Sequence, residues 1–562
     1  MLSGSAQGAP CRSMKFKLTR NLVDVVAREI YPACVTVADG VIAGIQRVKS
    51  AEHYLLPGFV DSHIHVESSM LLPSEFARIA VVHGTVATVS DPHEIANVCG
   101  VEGVELMLRN AAQVNFKFCF GAPSCVPATK FETAGAELDV DAVTKLLKDD
   151  RIGYLSEVMD FPGVLQRSPD VMAKIDAARS AGKPVDGHAP GLRGEEAANY
   201  FAAGISTDHE CFTLDEALDK IKSGCKIAIR EGSAARNFEA LQTLLDDHPD
   251  SCMLCSDDKH PDEFLLGHIN QLVARAIAHG RDLMNVLQAA CLNPVRHYGL
   301  DVGLLQVGDP ADFIEVSELK DFRVEATYID GVQVAKQGEC LIEKVKTEAI
   351  NNFHVGPIEA SSLRVPAQDS SSSIRTIEAM DGQLITNDLT VPCSLVDGCV
   401  GNDIENDVLK IVVVNRYHDA APAIAFIKGF GLSRGALASS VAHDSHNIVA
   451  VGATDQELEH AINAVIETQG GLSVSSFDVA GSASTLVLPL PVAGLMSTDD
   501  CQTVGKQYSH LDKRVKEFGC QLRAPFMTLS FMALLVIPSL KLSDRGLFDA
   551  QKFEFASLAV AE

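Results

Sequence analysis

Long apolar segments are scarce in this 562-residue sequence. The most apolar late run extends from Phe526 to Pro538 and is shorter than the roughly 20 residues that a membrane-spanning helix needs. We therefore predict that this run is a core segment. Residues 1–10 also lack the apolar centre of a secretion signal. These absences predict a cytoplasmic protein with no membrane partner.

Basic residues are outnumbered by acidic ones. The sequence contains 47 lysines and arginines against 74 aspartates and glutamates, which gives a net charge of −27. A nucleic-acid backbone or an anionic membrane surface would be repelled by this charge. The composition thus excludes nucleic acid as a partner and favours a small neutral or cationic ligand.

Paired cysteine motifs are almost absent. The 15 cysteines are scattered and odd in number, which argues against a fully disulfide-bonded secreted protein and predicts reduced thiols. Cys252 and Cys255 form the only CxxC, and no second CxxC or suitably spaced histidine pair completes a zinc ribbon. We predict that this pair lies in the core of a strand.

What the sequence does contain, from Leu55 onward, is a regular alternation of apolar runs and amphipathic segments. This alternation is typical of a parallel sheet with helices between its strands. Eight candidate strands end near His63/His65, Asp91, Gly121, Glu157, His188, His209, Glu231 and Asp257. Eight such units in about 250 residues predict an α/β protein built on a (β/α)8 TIM barrel.

Changes in residue pattern and composition along the chain divide it into five predicted segments. Short alternating runs on both sides of the barrel indicate one small β-sandwich made from two pieces. The predicted segments are 1–54 (first part of the sandwich), 55–300 (barrel), 301–346 (second part of the sandwich), 347–375 (a Ser-rich linker or loop) and 376–562 (a C-terminal α+β domain).

The predicted strand ends carry residues that can bind metal ions. Active sites of such barrels lie at the carboxyl ends of the strands. Singly, Glu157 could be an exposed acid and His188 a turn residue before Pro190. Together, four imidazoles and two carboxylates at one mouth predict a site for divalent metal ions. These candidate ligands are His63, His65, Glu157, His188, His209 and Asp257.

Three further groups of polar residues have two interpretations each. The second strand is followed by Asp91, His93 and Glu94. These residues could bind the substrate or transfer protons, or they could simply begin a helix. Asp258 and His260 could bind substrate or support the ligands from behind. The third group lies in a turn-like string of the last domain, which either makes local hydrogen bonds or closes over the barrel mouth; it contains His443, Asp444 and His446.

The sequence resembles the amidohydrolase superfamily. This resemblance rests on Pro57-Gly-Phe-Val-Asp-Ser-His-Ile-His65, on the later candidate ligands and on Val307-Gly-Asp-Pro-Ala-Asp312. Within it, the sequence is similar to the adenine deaminases of the bacterial and archaeal type. That similarity extends from about residue 50 to Asp549, with Asp160 standing where asparagine is expected. It rests on His65-Val-Glu-Ser-Ser-Met70, Asp91-Pro-His-Glu-Ile-Ala-Asn97, Asp257-Asp-Lys-His-Pro261 and Ser440-Val-Ala-His-Asp-Ser-His-Asn447.

The resemblance implies a two-metal hydrolase that converts adenine to hypoxanthine and ammonia in purine salvage. His63 and His65 would hold one ion with Asp257, His188 and His209 would hold the other, and Glu157 would bridge them. Manganese or iron is favoured, and zinc also suits these residue types. The purine would be the small-molecule partner, and the chain is expected to form a homo-oligomer, a dimer.

The resemblance also implies roles for the remaining residues. Asp257 would accept a proton from the attacking metal-activated water and pass it on. Glu94, with Asp91 as a second option, would transfer protons at the purine ring. Four residues would contact the substrate, namely His93, Asp258, His443 and His446.

Alternative functions share parts of this pattern. An amidohydrolase acting on another amino-purine, a cyclic amide or an N-acyl group would use the same metals, but many cyclic-amide relatives have a carboxylated lysine where Glu157 stands. The zinc deaminase signature H-x-E…P-C-x-x-C is only half matched by His65-Val-Glu67, because neither Pro10-Cys11 nor Pro392-Cys393 continues with the required cysteine. A barrel without catalytic activity is the third alternative.

Overall fold

A computed structural model describes residues 15–233, 235–367 and 372–560. Between residues 15 and 340, the described part of the chain contains sixteen strands: β1 Lys15–Asp24, β2 Glu29–Ala38, β3 Val41–Arg47, β4 Tyr54–Pro57, β5 Phe59–Ile64, β6 Thr85–Ser90, β7 Lys117–Ala122, β8 Ile152–Val158, β9 Val185–Gly187, β10 Thr207–Asp208, β11 Lys226–Arg230, β12 Cys252–Cys255, β13 Phe313–Val316, β14 Val324–Ile329, β15 Val332–Lys336 and β16 Glu339–Cys340.

The later strands of the described residues are β17 Val365–Pro366, β18 Ser373–Ala379, β19 Thr386–Pro392, β20 Leu395–Val396, β21 Cys399–Val400, β22 Leu409–Val414, β23 Ala423–Lys428, β24 Ala436–Ser439, β25 Ile448–Gly452, β26 Gly471–Phe477, β27 Ala483–Pro489, β28 Leu540–Ser543, β29 Gly546–Asp549, β30 Glu554–Phe555 and β31 Ala559–Val560.

The α-helices are α1 Pro73–Ala80, α2 His93–Ala111, α3 Val140–Leu147, α4 Phe161–Leu165, α5 Pro169–Ser180, α6 Gly194–Ala202, α7 Leu214–Lys222, α8 Phe238–Leu241, α9 Leu244–Asp247, α10 Pro261–Leu266, α11 Ile269–Ala278, α12 Leu283–Leu287, α13 Asn293–Tyr298, α14 Asp455–Glu467, α15 Cys501–Glu517 and α16 Pro525–Phe531.

Strands β5 to β12 form the predicted barrel. Strands β5–β9 pair in parallel in chain order, and so do β10–β12. The Ser206 amide donates to the Val185 carbonyl at 2.9 Å and joins the two groups, while a parallel bridge between Ile64 and Asp257 closes the circle. The (β/α)8 prediction is therefore confirmed. Cys252 and Cys255 lie buried in β12, as predicted.

The strands before and after the barrel form one eight-stranded sheet. Its order is β16-β15-β14-β13-β4-β1-β2-β3, so the chain leaves this sheet after β4, completes the barrel and returns at β13. This arrangement places the ends of the barrel segment side by side. The domain boundaries themselves stay predictions.

The C-terminal region is organised around a nine-stranded sheet, in the order β19-β18-β23-β22-β25-β24-β26-β27 with β31 beside β18. Strands β24 and β25 pair antiparallel, and the string from Ser440 to Asn447 connects them. The Ser497 amide donates to the Met70 carbonyl at 2.8 Å, shortly after the strand that carries His63 and His65. The C-terminal region is thereby attached to the barrel beside its mouth.

The apolar run from Phe526 to Pro538 is buried almost throughout and includes most of α16. This agrees with the predicted core segment. In the three described ranges, no helix combines the length and apolar character needed to cross a bilayer.

Two segments that fit simple helices in the sequence differ in the structure. The amphipathic pattern from Asp262 to His279 is that of one helix, but Gly267 and His268 separate α10 from α11. The pattern around Pro294 is that of a broken helix, but α12 and α13 are joined without interruption by a π-helical turn, Gln288–Leu292. Pro294 lies just after the π-helical turn, as the second residue of α13. Residues 368–371 of the predicted Ser-rich loop lie outside the described ranges.

Candidate active site

The six predicted metal ligands converge at the mouth of the barrel. All are buried, with at most 7% of each residue exposed. Glu157 lies among the four histidines: one of its oxygens, Oε2, is 3.0 Å from His188 Nδ1 and 3.1 Å from His209 Nε2. Its other oxygen, Oε1, is 3.6 Å from His65 Nε2. The carboxylate therefore faces both pairs of histidines.

Asp257 completes the side of the cluster formed by His63 and His65. Its Oδ1 atom is 3.5 Å from His63 Nε2 and 3.4 Å from His65 Nε2. The two histidines at the end of β5 and a carboxylate that follows β12 thus point at one spot, because the Ile64 to Asp257 bridge places these strands side by side. Glu157 and Asp257 both face these histidines.

These donors suit a divalent cation. Both ring nitrogens of His63 are buried and lack a hydrogen-bond partner within the described residues. Buried polar atoms are normally bonded, so unpaired nitrogens beside carboxylates point to a cation site. Burial raises the pKa of Glu157, but the neighbouring His188 and His209 hold that pKa well below its usual range. Mixed imidazole and carboxylate ligands fit first-row divalent metals.

His93 extends the cluster away from the ligands. Its Nδ1 atom is 3.2 Å from Asp91 Oδ2 and 3.6 Å from Glu157 Oε1. Its other ring nitrogen is 3.6 Å from Glu94 Oε1. Asp91 also accepts a hydrogen bond from the His93 amide at the start of α2, as the helix-start interpretation predicts.

The string from Ser440 to Asn447 closes over the barrel mouth. His443 Nδ1 and His446 Nε2 each form a hydrogen bond with a different carboxylate oxygen of Glu94. Burial raises the pKa of Glu94, but the two histidines hold it well below its usual range. Burial lowers the pKa of His443, whereas Glu94 and Asp258 raise it more, to about 9. The contact is therefore an ion pair between Glu94 and a protonated His443.

Five of the six candidate ligands, all except His63, line a small cavity of about 20 Å³. Asp258 lines it and accepts a hydrogen bond from Ser68 Oγ at 2.5 Å. His443 Nε2 and Asp444 Oδ2 are buried and have no hydrogen-bond partner among the described residues. The lining residues are His65, His93, Glu94, Glu157, Met159, His188, His209, Glu210, Arg230, Asp257, Asp258, Leu384, His443, Asp444, Phe531, Leu534 and Ile537.

Four residues singled out in the sequence, namely Asp91, Asp160, His260 and His446, do not line this cavity. Asp91 and His446 contact His93 and Glu94 instead. His260 Nδ1 is 2.7 Å from the Tyr508 hydroxyl of α15, so it joins the two domains. Asp160 caps α4 by accepting from the Gly163 amide at 2.9 Å.

Comparison with known proteins agrees with this geometry. Residues 54–334 match the Amidohydrolase family, and residues 383–554 match the adenine deaminase C-terminal domain. The adenine deaminase of Salinibacter ruber is 56% identical over 543 residues, which cover 96% of this chain and 98% of that protein. This chain belongs to the adenine deaminase family.

Two other members give the same result. The adenine deaminase of a Sulfurovum species is 54% identical over 542 residues, with 96% of this chain and 99% of that protein covered. The adenine deaminase of Methanosarcina acetivorans is 51% identical over 555 residues, with the same coverage of 96% and 99%. The resemblance on which the sequence interpretation relied is thus confirmed.

In this adenine deaminase family member, the sequence interpretation missed Arg230 and Glu210. Arg230 is 2% exposed at the end of β11, where Nη1 donates to Asp257 Oδ2 at 2.6 Å and to Glu210 Oε1 at 2.5 Å. Its Nη2 atom donates to Glu210 Oε2 at 2.9 Å. Arg230 therefore fixes one oxygen of Asp257 and leaves the other facing His63 and His65. A charged residue closing the apolar run Lys226-Ile-Ala-Ile-Arg230 was the available signal.

We expect Arg230→Met to weaken metal binding about 10- to 100-fold, the usual effect of losing a group that orients a ligand. The variant removes the hydrogen bonds that hold Asp257 and Glu210. Titration of the metal-free protein with Mn²⁺ measures the affinity directly. The control is Arg193→Met, which removes an exposed arginine paired with Asp219 on the same barrel. Equal affinities for both variants would contradict the role given to Arg230.

Proposed function

We propose that this chain catalyses the hydrolytic deamination of adenine to hypoxanthine and ammonia in purine salvage. The observation that carries this proposal is the buried histidine and carboxylate cluster, which faces a cavity that the C-terminal domain closes. The 56% identity to the adenine deaminase of Salinibacter ruber, over nearly the whole of both chains, supports the choice of substrate.

The cluster would hold two divalent metal ions. We assign His63, His65 and Asp257 to one ion, His188 and His209 to the other, and Glu157 to both. Mn²⁺ or Fe²⁺ is our choice for a site that mixes carboxylates with imidazoles, and Zn²⁺ fits the same donors. When bound, such ions lower the pKa of water so that hydroxide is available near neutral pH.

We assign to Asp257 the transfer of a proton from the attacking water. Arg230 engages its Oδ2 atom, so Oδ1 remains on the side of the ligand cluster and the cavity. Arg230 also offsets the effect of burial and holds the pKa of Asp257 well below its usual range. The residue is therefore ionised and can take up a proton, which it would pass to the departing amine of adenine.

Glu94 and His443 would act together on a nitrogen of the purine ring. Both Glu94 oxygens are occupied by His443 and His446, while the free Nε2 atom of His443 belongs to a residue that lines the cavity. We therefore assign hydrogen-bond or proton donation at a ring nitrogen to His443, supported by Glu94. Asp91 would act through His93, and Asp258 would contact the base directly.

An assay over a panel of bases tests the proposal. The purified protein, loaded with Mn²⁺ or Fe²⁺, is expected to release ammonia from adenine at least about tenfold faster than from guanine, cytosine or adenosine, because polar groups in a buried pocket penalise mismatched substrates. Product analysis should give hypoxanthine. Cyclic amides and N-acyl sugars belong in the same panel. Turnover of one of these, or of another amino-purine, in place of adenine would overturn the proposal.

We also propose that the protein is a homodimer and is located in the cytoplasm. The acidic composition is compatible with this location, and none of the described helices is long and apolar enough to cross a membrane. Light scattering of the purified protein measures the oligomeric state, and cell fractionation measures the location.

A further inference from the structure

The cavity beside the ligand cluster has one apolar side. Leu384, Phe531, Leu534 and Ile537 line it and are each only 3–4% exposed. Three of them belong to the run from Phe526 to Pro538, for which the sequence predicted only a core position. We call these four residues the apolar wall. All come from the C-terminal region, whereas the charged lining comes mostly from the barrel.

This division matches the chemistry of a nucleobase. Every base has two flat, apolar faces, and its polar atoms all lie on the edge of the ring. Binding pockets for such molecules combine apolar surface with a few polar groups that fix the orientation. Here the polar groups are those of the metal ligands, Asp258 and His443, which line the same cavity as the apolar wall. His443 itself stacks on Phe531, with 4.5 Å between ring centroids and 14° between planes.

A buried lysine holds two parts of the wall together. Lys541 in β28 is 0% exposed, and its Nζ atom donates to the Leu384 carbonyl at 2.7 Å and to the Phe531 carbonyl at 2.9 Å. No charged neighbour among the described residues contributes to the pKa of Lys541, which burial alone lowers to about 7. Burying an amine without a carboxylate partner costs free energy. The two hydrogen bonds that Lys541 donates to the wall therefore call for an explanation.

We propose that the apolar wall receives the flat face of the purine, and that Lys541 is the positioning residue that keeps the wall at the cavity. The proposal rests on the proposed function and deepens it, because it gives the C-terminal domain a role in substrate binding. The free space of about 20 Å³ holds about one water molecule, so the cavity has to widen when a base enters. The bonds of Lys541 then determine how well Leu384 and Phe531 close on the base.

The first test compares two buried lysines of the same domain. We expect Lys541→Met to raise KM for adenine about tenfold, within the range measured for loss of contacts to a base face, with kcat changed less than about threefold. The control is Lys410→Met, because Lys410 is 3% exposed and likewise donates to a carbonyl, that of Leu363 at 2.7 Å; it differs from Lys541 in also pairing with Asp455 at 2.5 Å. Metal content and the melting temperature are measured for both variants, and metal content should stay unchanged.

The second test does not depend on the fold tolerating a change at Lys541. Phe531→Leu removes a ring that lines the cavity, and Phe548→Leu removes a buried ring of β29 that packs on Phe131 instead. We expect only Phe531→Leu to raise KM for adenine and to weaken binding of hypoxanthine measured by calorimetry. If the unaltered protein deaminates adenine and both Phe531→Leu and Lys541→Met keep its KM, the wall proposal is wrong. If the unaltered protein neither binds nor deaminates adenine, the proposed function is wrong.

Discussion

Replacing Glu157 with glutamine is expected to leave less than about 1% of the adenine deaminase activity, since the loss of groups that merely orient ligands already costs 10- to 100-fold. Glu157 is the one residue of the ligand set whose carboxylate faces all four histidines, at 3.0–3.9 Å. The amide retains the shape of the side chain but removes the negative charge that offsets two cations. We therefore also expect less than one equivalent of metal in the purified variant.

Metal analysis and steady-state kinetics on the same preparation measure both effects. The matched control is Glu132→Gln, which changes another buried glutamate of the barrel. Burial and the nearby Asp444 raise the pKa of Glu132 to about 8, so it is mostly protonated at neutral pH and an amide resembles it closely. Glu132→Gln should keep both metal and activity. A Glu157→Gln enzyme with two bound metals and normal turnover would remove Glu157 from the ligand set.

The second large effect is expected from Glu94→Gln. The change removes the carboxylate that is hydrogen-bonded to the buried, protonated His443, and breaking a buried pair in this way costs about 3–5 kcal/mol of stability. Activity should fall by about 10² or more, the usual contribution of a proton-transfer group. Both the melting temperature and kcat should therefore decrease.

A double-mutant cycle separates these two contributions. His443→Asn alone leaves Glu94 with one partner, His446. When Glu94→Gln and His443→Asn are combined, neither charge remains unpaired, so we expect part of the stability to return while activity stays low. Additive losses of stability would show that the two residues do not interact. Recovery of activity in the double variant would show that the pair contributes only to stability.

The sequence predicted the ligand set because local patterns carry that information. Each apolar run of the barrel is a strand, and parallel strands of a barrel bring their carboxyl ends to one mouth. His63, Glu157 and Asp257 could therefore be placed together from their positions at strand ends alone. The long sequence motifs around Asp91 and His443 then narrowed the prediction from the amidohydrolase superfamily to the adenine deaminases. The comparisons with known proteins confirm that family.

The barrel, the family and the candidate metal ligands could thus be predicted from the sequence. The partners of the site residues became visible only in the folded chain: Arg230 contacts Asp257, and His443 and His446 contact Glu94. The last two contacts join positions 349 and 352 residues apart. Such contacts depend on how the C-terminal domain packs on the barrel. The hydrophobic periodicity of a local segment does not predict this packing. An apolar run such as Phe526 to Pro538 has the same pattern whether it fills a core or forms the wall of a substrate cavity.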